Sequence, residues 1–394
     1  MKYNFDEIVP RRGTNSYKWD TPEEGILPMW VADMDFRTAP CIIESLRRRV
    51  EHGVFGYVKV PQVYYNAVIN WFNTRHGVHF DRGWFIYTSG VVPAISAILK
   101  ALTRPGDKVI VQPPVYNCFF SSIRNNGCVM LPNRLVQNGN SWIIDFDDLE
   151  AKASDPDAKV MILCNPHNPA GRVWTEEELR KVGDICLRHN VFVISDEIHC
   201  ELTYPGHDYT PFASLGEEFS RHSATCISPS KAFNIAGLQI ANIVAADSEI
   251  RSRIDKAINI NEVCDVNPFG VEATVAAYSP EGAQWLDELR GYLHGNWLTV
   301  RDFFAANIPS CPVTELEGTY LVWIDIRSTG LCSDEVTARL LDEQKLMVNS
   351  GSMYDGEGFI RLNIACPRSR VVDAIERMAN VLAYRSDFSH IGCL

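Results

Sequence analysis

The sequence has little that would suit a membrane, a nucleic acid or a metal. No apolar run approaches the roughly 18 residues of a membrane span, and the N-terminal residues lack the apolar stretch of a signal peptide. Basic residues are the minority, 37 Lys and Arg against 49 Asp and Glu, and the formal net charge of -12 argues against phosphate-rich partners. The 12 cysteines form no Cys-x-x-Cys pair and no metal-like spacing with histidine. We therefore expect a cytoplasmic protein without a nucleic-acid partner, a membrane segment or a metal centre.

Short apolar segments alternate with amphipathic ones through most of the chain. Strands are expected over residues 84–88, 108–111, 159–164, 191–195 and 224–227, and helices over residues 93–102 and 176–189. Because such strands are apolar throughout, both faces of their sheet must be covered, which predicts an α/β fold with a parallel or mixed sheet. The glycines form no G-x-G-x-x-G or Walker loop, so a dinucleotide or a nucleoside triphosphate is not indicated.

The pattern changes past about residue 280. A long helical stretch over 283–306 precedes strands over 320–325 and 359–363, with a helix near 334–344 between them. We expect three parts: an N-terminal segment (1–44) that packs with the small domain, a large α/β domain (45–280) and a small α+β domain (281–394).

Four polar motifs stand where the expected strands end, and ligands of open α/β sheets bind at such ends. Lys231 follows an apolar strand and two small hydroxyl residues, Ser228 and Ser230, and burial there would lower its pKa for Schiff-base chemistry. Gly90 opens a helix whose free N–H groups suit an anion, although a plain strand-to-helix turn has the same pattern. Two Asn-Pro pairs flank His167 and create a rigid turn. Asp196 follows a buried strand and needs a cation there, unless it caps the next helix.

Together these motifs resemble fold-type I pyridoxal-phosphate enzymes, the aminotransferase class I/II superfamily, over nearly the whole chain. The resemblance implies a large mixed seven-stranded α/β/α domain with a smaller α+β domain. It also implies that Lys231 binds pyridoxal 5'-phosphate covalently and that Asp196 pairs with the protonated pyridine nitrogen. Asn168 would bind the phenolic oxygen, and Tyr116 would stack on the ring. Four further residues would hold the phosphate: Gly90, Val91, Ser228 and Ser230.

The resemblance extends to the substrate side and to a second subunit. Arg361 is similar to the arginine that binds the substrate α-carboxylate through two parallel hydrogen bonds, and Tyr116 and Trp30 would also contact the substrate. Tyr57 resembles a tyrosine that reaches the cofactor of the neighbouring subunit, which implies a homodimer. Ordinary packing is the alternative for both tyrosines, and a surface salt bridge for Arg361. His199 stands where many aminotransferases have a tyrosine, which implies a position near the ring.

Within the superfamily, the chain resembles cystathionine β-lyase and cystalysin-type C–S lyases. The resemblance rests on residues 11–20 (RRGTNSYKWD), 27–36 (LPMWVADMDF), 196–199 (DEIH) and 228–237 (SPSKAFNIAG). It implies α,β-elimination of a sulfur amino acid to a thiol, pyruvate and ammonia. The alternatives are a class I/II aminotransferase, a lyase that also regulates a protein partner, and an α/β protein without a cofactor.

Overall fold

The computed structural model describes residues 2–262 and 266–383. These residues form fourteen strands: β1 (Leu27–Pro28), β2 (Phe85–Thr88), β3 (Lys108–Val111), β4 (Val129–Pro132), β5 (Val136–Asn138), β6 (Ser141–Ile143), β7 (Ala158–Cys164), β8 (Phe192–Asp196), β9 (Ser223–Ile227), β10 (Ala241–Val244), β11 (Leu321–Asp325), β12 (Leu346–Met347), β13 (Asn349–Ser350) and β14 (Phe359–Asn363).

The same residues form thirteen α-helices: α1 (Tyr17–Asp20), α2 (Pro40–His52), α3 (Gln62–His76), α4 (Val91–Leu102), α5 (Asn117–Asn125), α6 (Phe146–Ala153), α7 (Glu176–Arg188), α8 (Glu217–Arg221), α9 (Ser248–Asn259), α10 (Pro268–Ala277), α11 (Pro280–Asn307), α12 (Ser333–Gln344) and α13 (Arg368–Leu382). Within the described ranges, no helix combines the length and apolar content of a membrane span.

A seven-stranded sheet organises the larger part of the chain, in the order β2-β10-β9-β8-β7-β3-β4. Strand β10 runs antiparallel to both of its neighbours, and the other pairs are parallel. Every residue of β8 and β9 is buried, because helices cover both faces of the sheet. The expected mixed seven-stranded α/β sheet is confirmed.

Local sequence signals explain where the elements begin. Helix α7 starts with a capping box, in which the Thr175 side chain accepts from the Glu178 amide and the Glu178 carboxylate accepts from the Thr175 amide. The predicted helix at 93–102 begins two residues earlier, at Val91, because proline is tolerated in a helix's first turn. The predicted strand at 84–88 begins at Phe85, after a 3₁₀ turn over Arg82–Trp84.

The later part of the chain contains the 28-residue helix α11 and a smaller antiparallel sheet, β11-β14-β13. Strand β1 from the N-terminal segment pairs in parallel with β12. The same segment also contacts the loop around Lys231, since the Thr38 hydroxyl donates to the Phe233 carbonyl at 2.6 Å. The division at residues 44 and 280 remains a prediction, and residues 1 and 384–394 of its outer ranges lie outside the described residues.

Candidate active site

A cavity of about 200 Å³ lies at the edge of the large sheet where β7, β8 and β9 end. It is the meeting point of motifs that are far apart in the sequence. Eight predicted site residues line it: Gly90, Val91, Tyr116, Asn168, Asp196, His199, Ser230 and Lys231.

The amine of Lys231 is held inside this cavity. Its Nζ atom donates a hydrogen bond to the Ala32 carbonyl at 2.7 Å. Burial, reinforced by the positive charge of Arg361, lowers the pKa of Lys231 to about 8. A substantial fraction of the amine is therefore neutral near physiological pH and able to act as a nucleophile or a base.

Asp196 is the acidic side chain that lines the cavity. Its side chain is buried and accepts a hydrogen bond from the Ile198 amide at 3.2 Å. Burial raises the pKa of Asp196 to about 7, and the neighbouring carboxylate of Glu197 adds to the increase, while the Ile198 amide and the charge of Lys231 offset only part of it. A cationic ring nitrogen placed beside Asp196 would restore its ionised form, which is the partner that a pyridinium requires.

His199 lies on the cavity wall as a neutral imidazole. Burial, with the charges of Lys231 and Arg361, lowers its pKa to about 3. Its Nδ1 atom is buried and has no hydrogen-bond partner within the described part of the chain, and its ring stands edge-on to Tyr320 at 6.0 Å between centroids. His199 thus has hydrogen-bonding capacity for a ligand but carries no charge.

The start of helix α4 forms the anion-binding end of the cavity. Gly90 is its N-cap, and the unpaired N–H groups of the first turn carry the positive end of the helix dipole. Ser89 and Ser230 also line this end. These donors suit a phosphate.

Ser228 differs from the prediction that it holds the phosphate. Its hydroxyl donates to the Ile240 carbonyl at 2.5 Å and accepts from the Ser230 amide at 3.1 Å. Ser228 therefore supports the loop and does not line the cavity.

Arg361 lies directly behind the cavity. It is buried on β14, and its guanidinium donates to Asn168 Oδ1 at 3.1 Å and to the Trp30 carbonyl at 3.0 Å. Its Nε atom is buried, and none of the residues that the structure describes forms a hydrogen bond with it. Trp30 therefore enters the site through its backbone, while its indole Nε1 donates to the Lys18 carbonyl at 3.2 Å.

Two predicted tyrosines lie in very different surroundings. Tyr116 lines the cavity, and burial raises the pKa of its hydroxyl, which stays protonated. Tyr57 is 94% exposed in an irregular segment and does not contact the cavity of its own chain. The structure therefore does not bring Tyr57 to the other predicted site residues.

Several cavity residues were missing from the sequence prediction. Ala32, Ser89 and Ile240 line the cavity, and Ala32 contributes the carbonyl that holds Lys231. Ser89 was detectable, because it precedes Gly90 in the same turn. Ala32 and Ile240 carry no polar side chain, so no residue-type signal marks them.

One group outside the cavity contains three potential metal-ligating side chains, those of His76, Cys200 and Glu201. The Glu201 carboxylate already accepts from Trp71 Nε1 at 2.6 Å and lies 2.7 Å from His76 Nε2. Arg75 Nε lies 3.4 Å from the same carboxylate. These contacts describe a buried network of charged and polar side chains, in which Glu201 Oε2 has the ion-pair contact with Arg75 but no hydrogen-bond partner among the described residues.

The chain is similar to known proteins in both sequence and structure. The family model for aminotransferase class I and II covers residues 26–378. The chain is 43% identical to "Cystathionine beta-lyase PatB" of Bacillus subtilis over 96% of its own length and 100% of that protein. It is 33% identical to "Protein MalY" of Escherichia coli over 96% of this chain and 99% of the other. The crystal structure of cystalysin from Treponema denticola, which contains a pyridoxal 5'-phosphate cofactor, superposes with a TM-score of 0.94 at 34% identity and covers 97% of this chain and 99% of that one.

Proposed function

The chain belongs to the aminotransferase class I and II family, as a pyridoxal-phosphate-dependent carbon–sulfur lyase, and we propose that it eliminates a thiol from cystathionine- or cysteine-type substrates. The products would be the thiol, pyruvate and ammonia. The observation that carries this proposal is that one cavity encloses both Lys231 and Asp196, with the pKa of the lysine lowered and the pKa of the aspartate raised. Such opposed shifts are typical of acid–base sites.

The cofactor fits the cavity's chemistry at three points. The helix start at Gly90 suits the phosphate, Asp196 suits the ring nitrogen, and the amine of Lys231 suits the aldehyde. Asn168 and the neutral His199 have hydrogen-bonding groups for the phenolic oxygen. When bound, pyridoxal phosphate supplies an electron sink for the bond that breaks at the substrate's Cα.

Lys231 is the proposed base at the substrate's Cα–H bond. Its pKa of about 8 lets it accept the proton and later return it. A thiolate is a good leaving group at Cβ, so the protein chiefly has to orient the Cα–H bond and exclude water. With the cofactor bound, Asp196 would hold a negative charge for the ring nitrogen, in buried surroundings where water does not screen it.

Arg361 is the proposed site for the substrate's α-carboxylate. Its guanidinium is buried beside Asn168, and the unpartnered Nε atom adds a donor that a carboxylate could use. Two-point binding would fix the substrate backbone, so that its Cα–H faces Lys231. Tyr116 and the backbone of Trp30 would form the adjoining walls.

A homodimer is proposed because Tyr57 is far more exposed than a tyrosine with a site role should be. Val54 and Phe55 next to it are also exposed, at 62% and 55%. A second copy that covers this segment would bury these apolar side chains and could place Tyr57 at the partner's phosphate. Ten cysteines in the described ranges are free thiols, which supports a cytoplasmic location.

Pyruvate release tests the proposed reaction. The purified protein, loaded with pyridoxal phosphate and given no keto acid, should release pyruvate from cystathionine, cysteine or an S-substituted cysteine. Lys231→Ala is the matched control and should release none above background. Amino transfer to a keto acid without pyruvate release would identify an aminotransferase instead.

A further inference from the structure

Residues 29–36 form an irregular segment along the cavity, which we call the strap. Side chains from distant parts of the chain bind its carbonyl oxygens. Arg361 donates to Trp30 O at 3.0 Å, and the amide of Asn234 donates to Met34 O at 3.0 Å. The strap is therefore a fixed piece of backbone, although it contains neither helix nor strand.

The Ala32 carbonyl is the strap's contact with the amine of Lys231. It accepts from Lys231 Nζ at 2.7 Å and from the Tyr320 hydroxyl at 3.0 Å. A carbonyl oxygen has two lone pairs and can accept both bonds. Tyr320 is fully buried, and burial raises the pKa of its hydroxyl, so it remains a donor.

Asn363 holds the peptide groups on both sides of Ala32. Its Nδ2 atom donates to Val31 O at 2.5 Å and to Asp33 O at 2.7 Å. The Ala32 carbonyl lies between these two anchors and has its own separate donor in Tyr320. Tyr320 is thus the side chain that restrains this oxygen independently of Lys231.

A neutral lysine amine acts as a base through its single lone pair. If one N–H of the amine forms a hydrogen bond to a fixed oxygen, the amine can no longer rotate freely about its C–N bond. The direction of its lone pair is then restricted as well. We propose that Tyr320 is a positioning residue: its hydroxyl holds the Ala32 carbonyl, which anchors Lys231 so that the lone pair faces the substrate's Cα–H bond. This inference rests on the proposed function, in which Lys231 is the base.

Tyr320→Phe tests the inference, because it removes the hydroxyl and keeps the ring. We expect kcat for elimination to fall about tenfold, with KM within about twofold, since the base is misaligned while substrate contacts remain. With substrate deuterated at Cα, the isotope effect on kcat should increase, because proton removal becomes slower relative to the other steps. Tyr64→Phe is the matched control: Tyr64 is also fully buried, but its hydroxyl accepts from Asn242 at 2.7 Å, away from the cavity.

A second measurement needs neither cofactor nor turnover. Hydrogen exchange in the cofactor-free protein should become faster in peptides that contain the strap, where the amides of Asp33, Met34 and Asp35 are hydrogen-bonded. The change should be local in Tyr320→Phe and absent from the strap in Tyr64→Phe.

The outcomes separate this inference from the proposed function. Unchanged kcat, isotope effect and strap exchange in Tyr320→Phe would overturn the positioning role. Exchange that rises throughout the protein, with kcat and KM changed together, would also overturn it and indicate a structural role. If the unsubstituted protein releases no pyruvate from any of the sulfur amino acids, the proposed function itself fails, and the exchange measurement still reports whether Tyr320 restrains the strap.

Discussion

Asp196→Asn should stabilise the cofactor-free protein at neutral pH, although it removes a proposed active-site charge. The Asp196 carboxyl is buried, and burial raises its pKa from 3.8 to about 7. Between these values the folded protein keeps a proton that the unfolded chain has lost, so the free energy of unfolding decreases as pH rises. Over about three pH units, at 1.36 kcal/mol each, this group destabilises the folded state by about 4 kcal/mol above pH 7.

Asparagine has a similar shape and does not titrate. The free energy of unfolding of Asp196→Asn, relative to the unsubstituted protein, should therefore increase by about 3 to 4 kcal/mol between pH 4 and pH 8. Urea unfolding of both cofactor-free proteins across this range measures the difference. The neighbouring Glu197, whose pKa burial also raises, is present in both proteins and its contribution largely cancels. Asp184→Asn, which makes the same change at an exposed side chain of α7, is the control substitution.

The effect on catalysis should have the opposite sign. With pyridoxal phosphate bound, the carboxylate would pair with the ring cation, and removal of one partner of a buried ion pair costs about 3 to 5 kcal/mol. Elimination by Asp196→Asn should therefore be at least about 100-fold slower. If the cofactor-free variant gained no stability between pH 4 and pH 8, the assignment of Asp196 as a desolvated, only partly compensated carboxylate would be wrong.

Three further changes test other parts of the site. Arg361→Lys should raise KM for the substrate about tenfold and leave the absorption spectrum of the cofactor unchanged, because an ammonium group cannot form two parallel hydrogen bonds to a carboxylate. An unchanged KM would exclude Arg361 as the carboxylate site. Equal amounts of Tyr57→Ala and Lys231→Ala subunits, unfolded and refolded together, should recover about a quarter of the parental activity. Half of the dimers would be mixed, and each mixed dimer would have one complete site, with Lys231 from one subunit and Tyr57 from the other. Recovery of no activity would contradict shared sites. Asp35→Asn should lower the free energy of unfolding by about 3 kcal/mol or more in urea titrations. The reason is that three cations, Arg11, Lys18 and Arg370, lie within 3.2 Å of the buried Asp35 carboxylate. A loss below about 1 kcal/mol would show that these cations find other partners.

The elements most predictable from sequence were those whose pattern is local. The strands at 108–111 and 359–363 match β3 and β14 at both ends, because each is a continuous apolar or alternating run bounded by turn residues. Two-residue strands such as β12 and β13 were not predicted, since their backbone pairing depends on partners far along the chain. The polar residues at strand ends were predictable because parallel strands place their carboxyl ends at one edge of the sheet.

By itself, the sequence determined the α/β class, the candidate cofactor residues Lys231, Asp196 and Asn168, and the resemblance that pointed to a lyase. Residue type and position after an apolar strand carry this information locally. Only the tertiary structure decided which backbone groups complete the site. Ala32 is 199 positions from Lys231, and Asn168 is 193 from Arg361. A backbone carbonyl belongs to every residue type, so no sequence pattern marks the one that holds the amine, and only the packing of the strap against Tyr320 and Asn363 selects it.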